Sequence, residues 1–214
     1  DDFFDTLDDA GTADLPPERY MANLERTGEL GTAILRVFHF EQMGKNARLY
    51  PPEELRIVTR GTHRNAKLPR GIEPYEKIGK VLVPALRDNP DMIAVVPGFY
   101  AVNRNGEYTL FRRGGSDITA AVITRAIYSM YSMMTNYLII HENWTDVPGF
   151  LRAHPKYIPE APTIPELSYL IKRELAALGA KVLHMDVAVH LHGTDIPTFV
   201  RDTFHPDLEG TKIT

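Results

Sequence analysis

A strand, two glycines and a helix in direct succession constrain this chain more than any other feature. The segment is Arg112-Arg113-Gly114-Gly115-Ser116-Asp117-Ile118-Thr119. A strand-like run from Glu107 to Phe111 precedes it, and an apolar helical run from Ala120 to Ile127 follows. Paired glycines let a backbone approach a ligand closely. A helix start offers unpaired N–H groups and a positive dipole end, which suit an anion. Arg113 adds a planar donor fork for a carboxylate or phosphate. The same letters also describe a tight turn capped by Ser116 or Asp117. Only the rest of the chain can separate the two.

The rest of the chain repeats the alternation. Pro16-Pro17-Glu18 opens a helix to about Thr27, Gly28-Glu29 interrupts it, and a second helix runs through Phe40. Leu55 to Val58 reads as a strand. Glu73 to Asp88 reads as a helix ended by Asn89-Pro90. Met92 to Val96 is a buried strand stopped by Pro97-Gly98. Phe99 to Val102 and Glu107 to Phe111 flank a turn at Asn103 to Gly106. Ser116 to about Met134 is a long helix, and Tyr137 to His141 a strand. Ile164 to Leu178 is a helix entered through Pro165-Glu166 and stopped by Gly179. Val187 to Val189 is a short helix or strand, and Thr198 to Arg201 a strand. Strands alternating with helices predict an α/β domain with a largely parallel, buried sheet. Ligands of such sheets bind beyond the carboxyl ends of the strands. Gly98, Arg113 to Asp117, and Thr145-Asp146 all fall just there.

Composition narrows the partners. The 214 residues fit one large domain, and 43% hydrophobic content supplies a core. A net charge of −4 gives no long-range pull towards nucleic acid or an anionic membrane. No apolar run reaches membrane-spanning length. With no cysteine, disulfides and thiolate chemistry are excluded, and a cytoplasmic setting is expected. The first fourteen residues carry six aspartates and read as an acidic loop or arm.

Four other features carry chemistry and an ordinary alternative. Asp146, in Trp144-Thr145-Asp146-Val147-Pro148-Gly149, could accept ribose or base hydrogen bonds or hold a magnesium-bound water, or simply cap a turn. Lys181, in Gly179-Ala180-Lys181-Val182-Leu183-His184, could pair with a phosphate or be a solvated lysine beside a helix stop. Glu29 could pair with a substrate ammonium or cap a helix. His190 and His192 would share a strand face, but no further ligand has metal-site spacing, so no resident metal is expected.

In order along the chain, these pieces resemble the aspartate kinase family, of the amino-acid kinase fold. Thr27-Gly28-Glu29 is similar to the family's S-T-G-E. Val96-Pro97-Gly98-Phe99, then Gly106 and Thr109, resemble the strand leading to its R-G-G-S-D, which Arg113 to Asp117 match. Trp144 to Gly149 match W-T-D-V-x-G, and Gly179 to His184 match G-A-K-V-L-H. The tail, Ile196-Pro197, Val200-Arg201, Phe204, Gly210-Thr211 and Ile213, resembles the family's closing motif.

The resemblance implies a three-layer α/β/α sandwich around a mostly parallel central sheet, here without its first strand. It implies one catalytic domain over residues 1–214, truncated at its N-terminus and without a regulatory ACT domain. The implied reaction is phosphorylation of the side-chain carboxylate of L-aspartate by ATP with Mg2+, giving 4-phospho-L-aspartate for amino-acid biosynthesis. Arg113 would pair with a substrate carboxylate and Glu29 with the substrate ammonium, beside Gly114 and Gly115. Ser116 and Asp117 would organise the reaction centre. Thr145 and Asp146 would line the nucleotide pocket, and Lys156, Lys181 and Val182 would contact ATP. A homo-oligomer is expected, its regulatory region separate or removed.

The chain also departs from the family pattern. No K-[FY]-G-G strand stands before Glu29. The family's D-P-R is His154-Pro155-Lys156, its later Tyr is Leu151, and the residue before R-G-G-S-D is Arg112 rather than Gly. Tyr128 to Asn136 is a longer, Met-rich stretch than the family's turn. These departures motivate one alternative, a catalytically degenerate homologue that binds nucleotide or serves as a partner subunit. A related kinase acting on another carboxylate or a phosphate is a third reading, ranked below the first because Glu29 with Arg113 favours an amino acid bearing both charges.

Overall fold

A computed structural model describes residues 17–131, 138–177 and 182–214. The chain divides into two compact units, Asp1–Thr135 and Asn136–Thr214. Among the described residues, no helix is long and apolar enough to cross a membrane.

The first unit opens with one unbroken helix, α1 (Pro17–Gln42). The expected break at Gly28-Glu29 does not occur. A single interior glycine costs a helix only about 1 kcal/mol, too little to stop one whose flanking turns are helical. The part before Gly28 is tied down by ion pairs from Arg19 to Glu107 at 3.0 Å and from Glu25 to Arg64 at 2.7 Å. Strand β1 (Ala47–Leu49) follows, then the antiparallel pair β2 (Arg60–Thr62) and β3 (Asn65–Lys67). Leu55 to Val58 is not the expected strand. It is a turn in which Leu55 and Ile57 are fully buried and Val58 makes one bridge to Val102. Its apolar letters report burial rather than extension.

Helix α2 (Glu73–Asp88) has the bounds read from the sequence, with Pro in its first turn, a Lys77–Glu73 ion pair, and an Asn89 cap. Strand β4 (Ile93–Val95) pairs parallel with β1. It is half-buried rather than buried, as a ladder of two strands allows. β5 (Tyr100–Val102) and β6 (Tyr108–Leu110) form the expected hairpin. Helix α3 (Gly115–Tyr131) follows; the rest of the expected helix, and most of the Met-rich stretch, lie outside the described residues. α2 and α3 cross closely: a Cβ on Gly79 would lie 2.8 Å from the Ala126 carbonyl oxygen. The core gathers Tyr50, Leu55, Ile57, Ile78, Leu82, Phe111, Ile118 and Val122.

The second unit is built on a four-stranded sheet in the order β7 (His141–Thr145), β9 (Thr198–Asp202), β10 (Thr211–Ile213), β8 (Glu166–Leu167). β7 and β9 run parallel with His141 opposite Thr198, β9 and β10 are antiparallel, and β10 and β8 are parallel. Two boundaries differ from expectation. The apolar run Leu138 to Ile140 lies outside the sheet, and β7 begins only at His141, where pairing with β9 starts. Pro165-Glu166 does not open a helix. Glu166 and Leu167 pair with β10, and α4 (Tyr169–Ala177) starts behind Ser168, whose hydroxyl accepts the Ile171 N–H. Val187 to Val189 falls in α5 (Met185–Leu191). His190 lies in α5 and His192 caps its end, so they do not share a strand face. Helices thus lie between β3 and β4, between β6 and β7 and between β8 and β9, and the α/β reading of the sequence stands. The described ladders themselves are evenly split between parallel and antiparallel pairs.

Candidate functional site

In the first unit the Gly-Gly turn is pressed against the end of β4. A Cβ on Gly98 would fall 3.0 Å from Ser116 Cα, and one on Gly115 would fall 2.8 Å from Phe111 Cβ and 2.9 Å from Phe99 Cδ2. A side chain on Gly115 would force a neighbour to shift, and one on Gly98 would press on Ser116, so glycine suits both positions. Gly114 turns the chain with φ +83°, and the Phe111 N–H donates to the Phe99 carbonyl at 2.9 Å. Phe99 itself holds φ +71°, a left-handed conformation that only strong surroundings impose on a bulky residue. The sequence placed Gly98 at a strand end and Phe99 only within the Val96–Phe99 piece of the resemblance; nothing in it pointed to the left-handed backbone of Phe99.

This packing leaves Arg112, Arg113 and Ser116 exposed around the start of α3, with Asp117 half-buried in its first turn. The first turn of α3 thus lies beside the exposed guanidinium fork of Arg113, an arrangement suited to a carboxylate or phosphate.

Glu29 lies on α1 in the same unit, near enough to the Tyr100 hydroxyl for its charge to disfavour that group's ionisation. Ala22, Arg26 and Glu29 lie at helical spacing, and Ala22 packs with Tyr100 and Leu110 of the hairpin, against which Phe99 also packs. Burial raises the Glu29 carboxyl above its ordinary value. A cation brought alongside would favour its charged form. Arg26, buried, stacks its guanidinium 3.6 Å over the Tyr108 ring. The Tyr100 hydroxyl is buried and its ionisation is pushed well above the usual phenol range, first by desolvation and then by the negative charge of Glu53.

In the second unit, Thr145 ends β7 and its hydroxyl lies 3.2 Å from the Asp146 carboxylate. The following loop is fastened from below. A Cβ on Gly149, which has φ +118°, would lie 2.5 Å from Thr211 Oγ1, and one on Gly210 would collide with the Val200 carbonyl oxygen. The Thr211 hydroxyl accepts the Phe150 N–H at 2.9 Å and donates to the Ile164 carbonyl at 2.7 Å. Gly210-Thr211, read from the sequence only as part of a closing motif, is the clamp that fixes the end of the Asp146–Phe150 loop.

Lys156 sits in an exposed turn. Its N–H donates to His154 Nδ1 at 3.1 Å, and its ammonium lies 6.0 Å from the Tyr157 ring. Val182 is half-buried, two residues before the cap of α5. Lys181 and the glycine of that motif lie outside the described residues. The structure thus joins Thr145 to Asp146, and Gly98 and Phe99 to Gly115 and Ser116.

A model of the amino acid kinase family matches residues 23–202. The chain belongs to the amino acid kinase family. Within that family it is similar to Aspartokinase 3 of Bacillus subtilis, 27% identical over 198 residues, which are 92% of this chain and 40% of the relative. The aspartokinase of Mycolicibacterium smegmatis is 31% identical over 201 residues, with 92% and 43% covered. Among solved structures, E. coli aspartokinase III in complex with lysine and aspartate superposes with a TM-score of 0.79 at 26% identity, over 99% of this chain and 44% of that one. The same enzyme in complex with aspartate and ADP gives 0.79 at 24% identity, again over 99% and 44%, a likeness of fold. The chain spans about two-fifths of the length of the curated relatives it matches.

Proposed function

We propose that this chain is the catalytic domain, over residues 1–214, of an aspartate kinase. In this reaction a side-chain carboxylate oxygen of L-aspartate attacks the γ-phosphorus of ATP. The bond from that phosphorus to the bridging oxygen breaks, and 4-phospho-L-aspartate and ADP leave. The ionised carboxylate has no proton to give up, so the protein's work is positioning and charge compensation.

The observation that carries this reading is the junction of Gly98, Phe99, Gly115 and Ser116. It sets exposed Arg113 at the start of α3, in the same unit as the half-buried carboxylate of Glu29. An amino acid needs one partner of each sign. Arg113 pairs with its α-carboxylate and Glu29 with its ammonium. Ser116 and Asp117, with the N–H groups of Gly114 and Gly115, face the reacting carboxylate and the transferred phosphoryl. Thr145 and Asp146 line the nucleotide pocket, and Lys156, Lys181 and Val182 serve the phosphates and base. Aspartokinase relatives, among them the E. coli enzyme in complex with lysine and aspartate, support the choice of substrate. Mg2+ would neutralise phosphate charge, and it asks only one or two carboxylates of a protein when phosphates supply other ligands. Asp117, in the first turn of α3, is suited to that.

A second reading has its own observation. Lys156 stands where the family has arginine, and a lysine offers a point charge in place of a bidentate fork. A homologue that binds nucleotide without transferring phosphate would tolerate that change. The test is ATP-dependent hydroxamate formation from L-aspartate with Mg2+ on this chain. Hydroxamate supports the kinase. ADP binding without hydroxamate supports the degenerate homologue, and neither would leave only the fold.

A further inference from the structure

Lys172 is fully buried in α4, and its ammonium donates to the carbonyl oxygen of His184 at 2.7 Å. A buried ammonium is costly unless it is held by hydrogen bonds, so its position and that of its acceptor are mutually fixed. The acceptor belongs to the residue that caps α5: the His184 ring nitrogen Nδ1 accepts the Asp186 N–H at 3.1 Å. Leu183, just before it, is buried, and Val182 comes one residue earlier. α4 is in turn tied to the sheet. The Tyr169 hydroxyl lies 2.9 Å from Thr198 Oγ1, which lies 3.2 Å from His141 Nδ1 at the head of β7. A continuous set of bonds therefore runs from β7 and β9 through α4 to the segment that carries Val182. Packing alone would be served as well by an apolar side chain on this helix. A lysine there adds a directed bond to one backbone carbonyl.

We infer that Lys172 is a positioning residue: its bond to the His184 carbonyl holds the Val182–His184 segment in the form that meets the nucleotide. This deepens the nucleotide-site reading above and rests on it. Lys172 touches no substrate in this scheme. It acts through the backbone of a neighbouring segment, by fixing where Val182 presents its main-chain groups.

The test compares the full chain with K172M and K172R by amide hydrogen exchange and by ADP titration. K172M keeps the length and loses the cation. It is expected to raise exchange across Val182–Val187 by about tenfold or more while leaving β7 and β9 near the parent rate. ADP binding should weaken by about fivefold or more, as for loss of a bond from a charged donor. K172R, which retains a cation and donors, should recover part of both losses. If K172M does not fold, K172Q, with a neutral donor on a shorter stem, is measured in its place and should show the same two losses. Parent-like exchange at Val182–Val187 in a folded variant overturns the role. So does a loosened segment that binds ADP as tightly as the parent. Absence of ADP binding by the parent chain overturns the nucleotide reading and this role with it, whereas equal binding by parent and variant overturns the role of Lys172 alone.

Discussion

At the scale of single residues, two side chains hold the second unit's loops in place by different physics. Thr211 uses one hydroxyl to satisfy both the Phe150 N–H and the Ile164 carbonyl. T211V keeps the shape and β-branching but leaves both groups without that partner. The expected cost is about 1–3 kcal/mol for each group that stays dry, read as a lower urea midpoint with an unchanged slope. A midpoint equal to the parent's would mean that water replaces the hydroxyl. Asp202 is buried and bonded to the His205 ring at 2.8 Å and to the Phe204 N–H at 2.8 Å. The His205 bond first, and the Phe204 N–H next, hold its carboxyl below the ordinary value. The folded value is lower than the unfolded one, so the stabilisation is present above the unfolded value and is lost as pH falls through the folded one. D202N should therefore be less stable than the parent at about pH 7, and the gap should close below about pH 4. Urea titrations across that range check it, and a gap independent of pH would refute the assignment.

At the scale of elements, α1 is the instructive case. Gly28 lies within the helix, and a Cβ there would meet nothing within 4 Å. G28A should therefore stabilise the chain by about 0.5–1 kcal/mol through helix propensity and unfolded-state entropy. For a chain of this size that is roughly 2–4 °C in Tm per kcal/mol. A lower Tm would mean that Gly28 has a role the helix does not show. The same helix shows what a sequence can and cannot reveal. The glycine letters suggested a break, but the helix runs on through them, and its first half is held by Arg19–Glu107 and Glu25–Arg64, which join residues far apart in sequence. Helix α2 was legible in full because its signals are local: Pro and Glu at the start, Asn-Pro at the end. Leu55 to Val58 and Glu166-Leu167 were misread because burial and strand pairing are decided by distant partners, Val102 in one case and β10 in the other. In the candidate site, the strand–Gly-Gly–helix turn was visible because glycine spacing is local. The left-handed Phe99, the Thr211 clamp and the buried Lys172 were not, since each takes its meaning from a residue brought near by folding.

At the scale of the whole molecule, the residues assigned to the two substrates divide between the two units. Glu29 and Arg113 to Asp117 belong to the first; Thr145, Asp146, Lys156, Lys181 and Val182 belong to the second. On the proposed assignment, an amino acid carrying both charges would be matched by Glu29 and Arg113 together, whereas a nucleotide would draw on the loop after β7. Single substitutions should therefore separate the substrates. R113A removes the fork for the amino-acid carboxylate, a charge-assisted bond of about 1.5–3 kcal/mol, and should raise the aspartate KM by roughly one to two orders of magnitude. The ATP KM should change little. D146N keeps the shape of the exposed Asp146 and removes its charge, so it should raise the ATP KM and spare aspartate. If the two residues act on different substrates, the losses in kcat/KM should also add in the double variant. Where hydroxamate turnover is too slow for kinetics, titration of each variant with aspartate and with ADP gives the same partition. Equal loss of both ligands on R113A would show that the α3 start serves the phosphates as much as the amino acid, and the assignment of Arg113 would fall while the nucleotide loop stood.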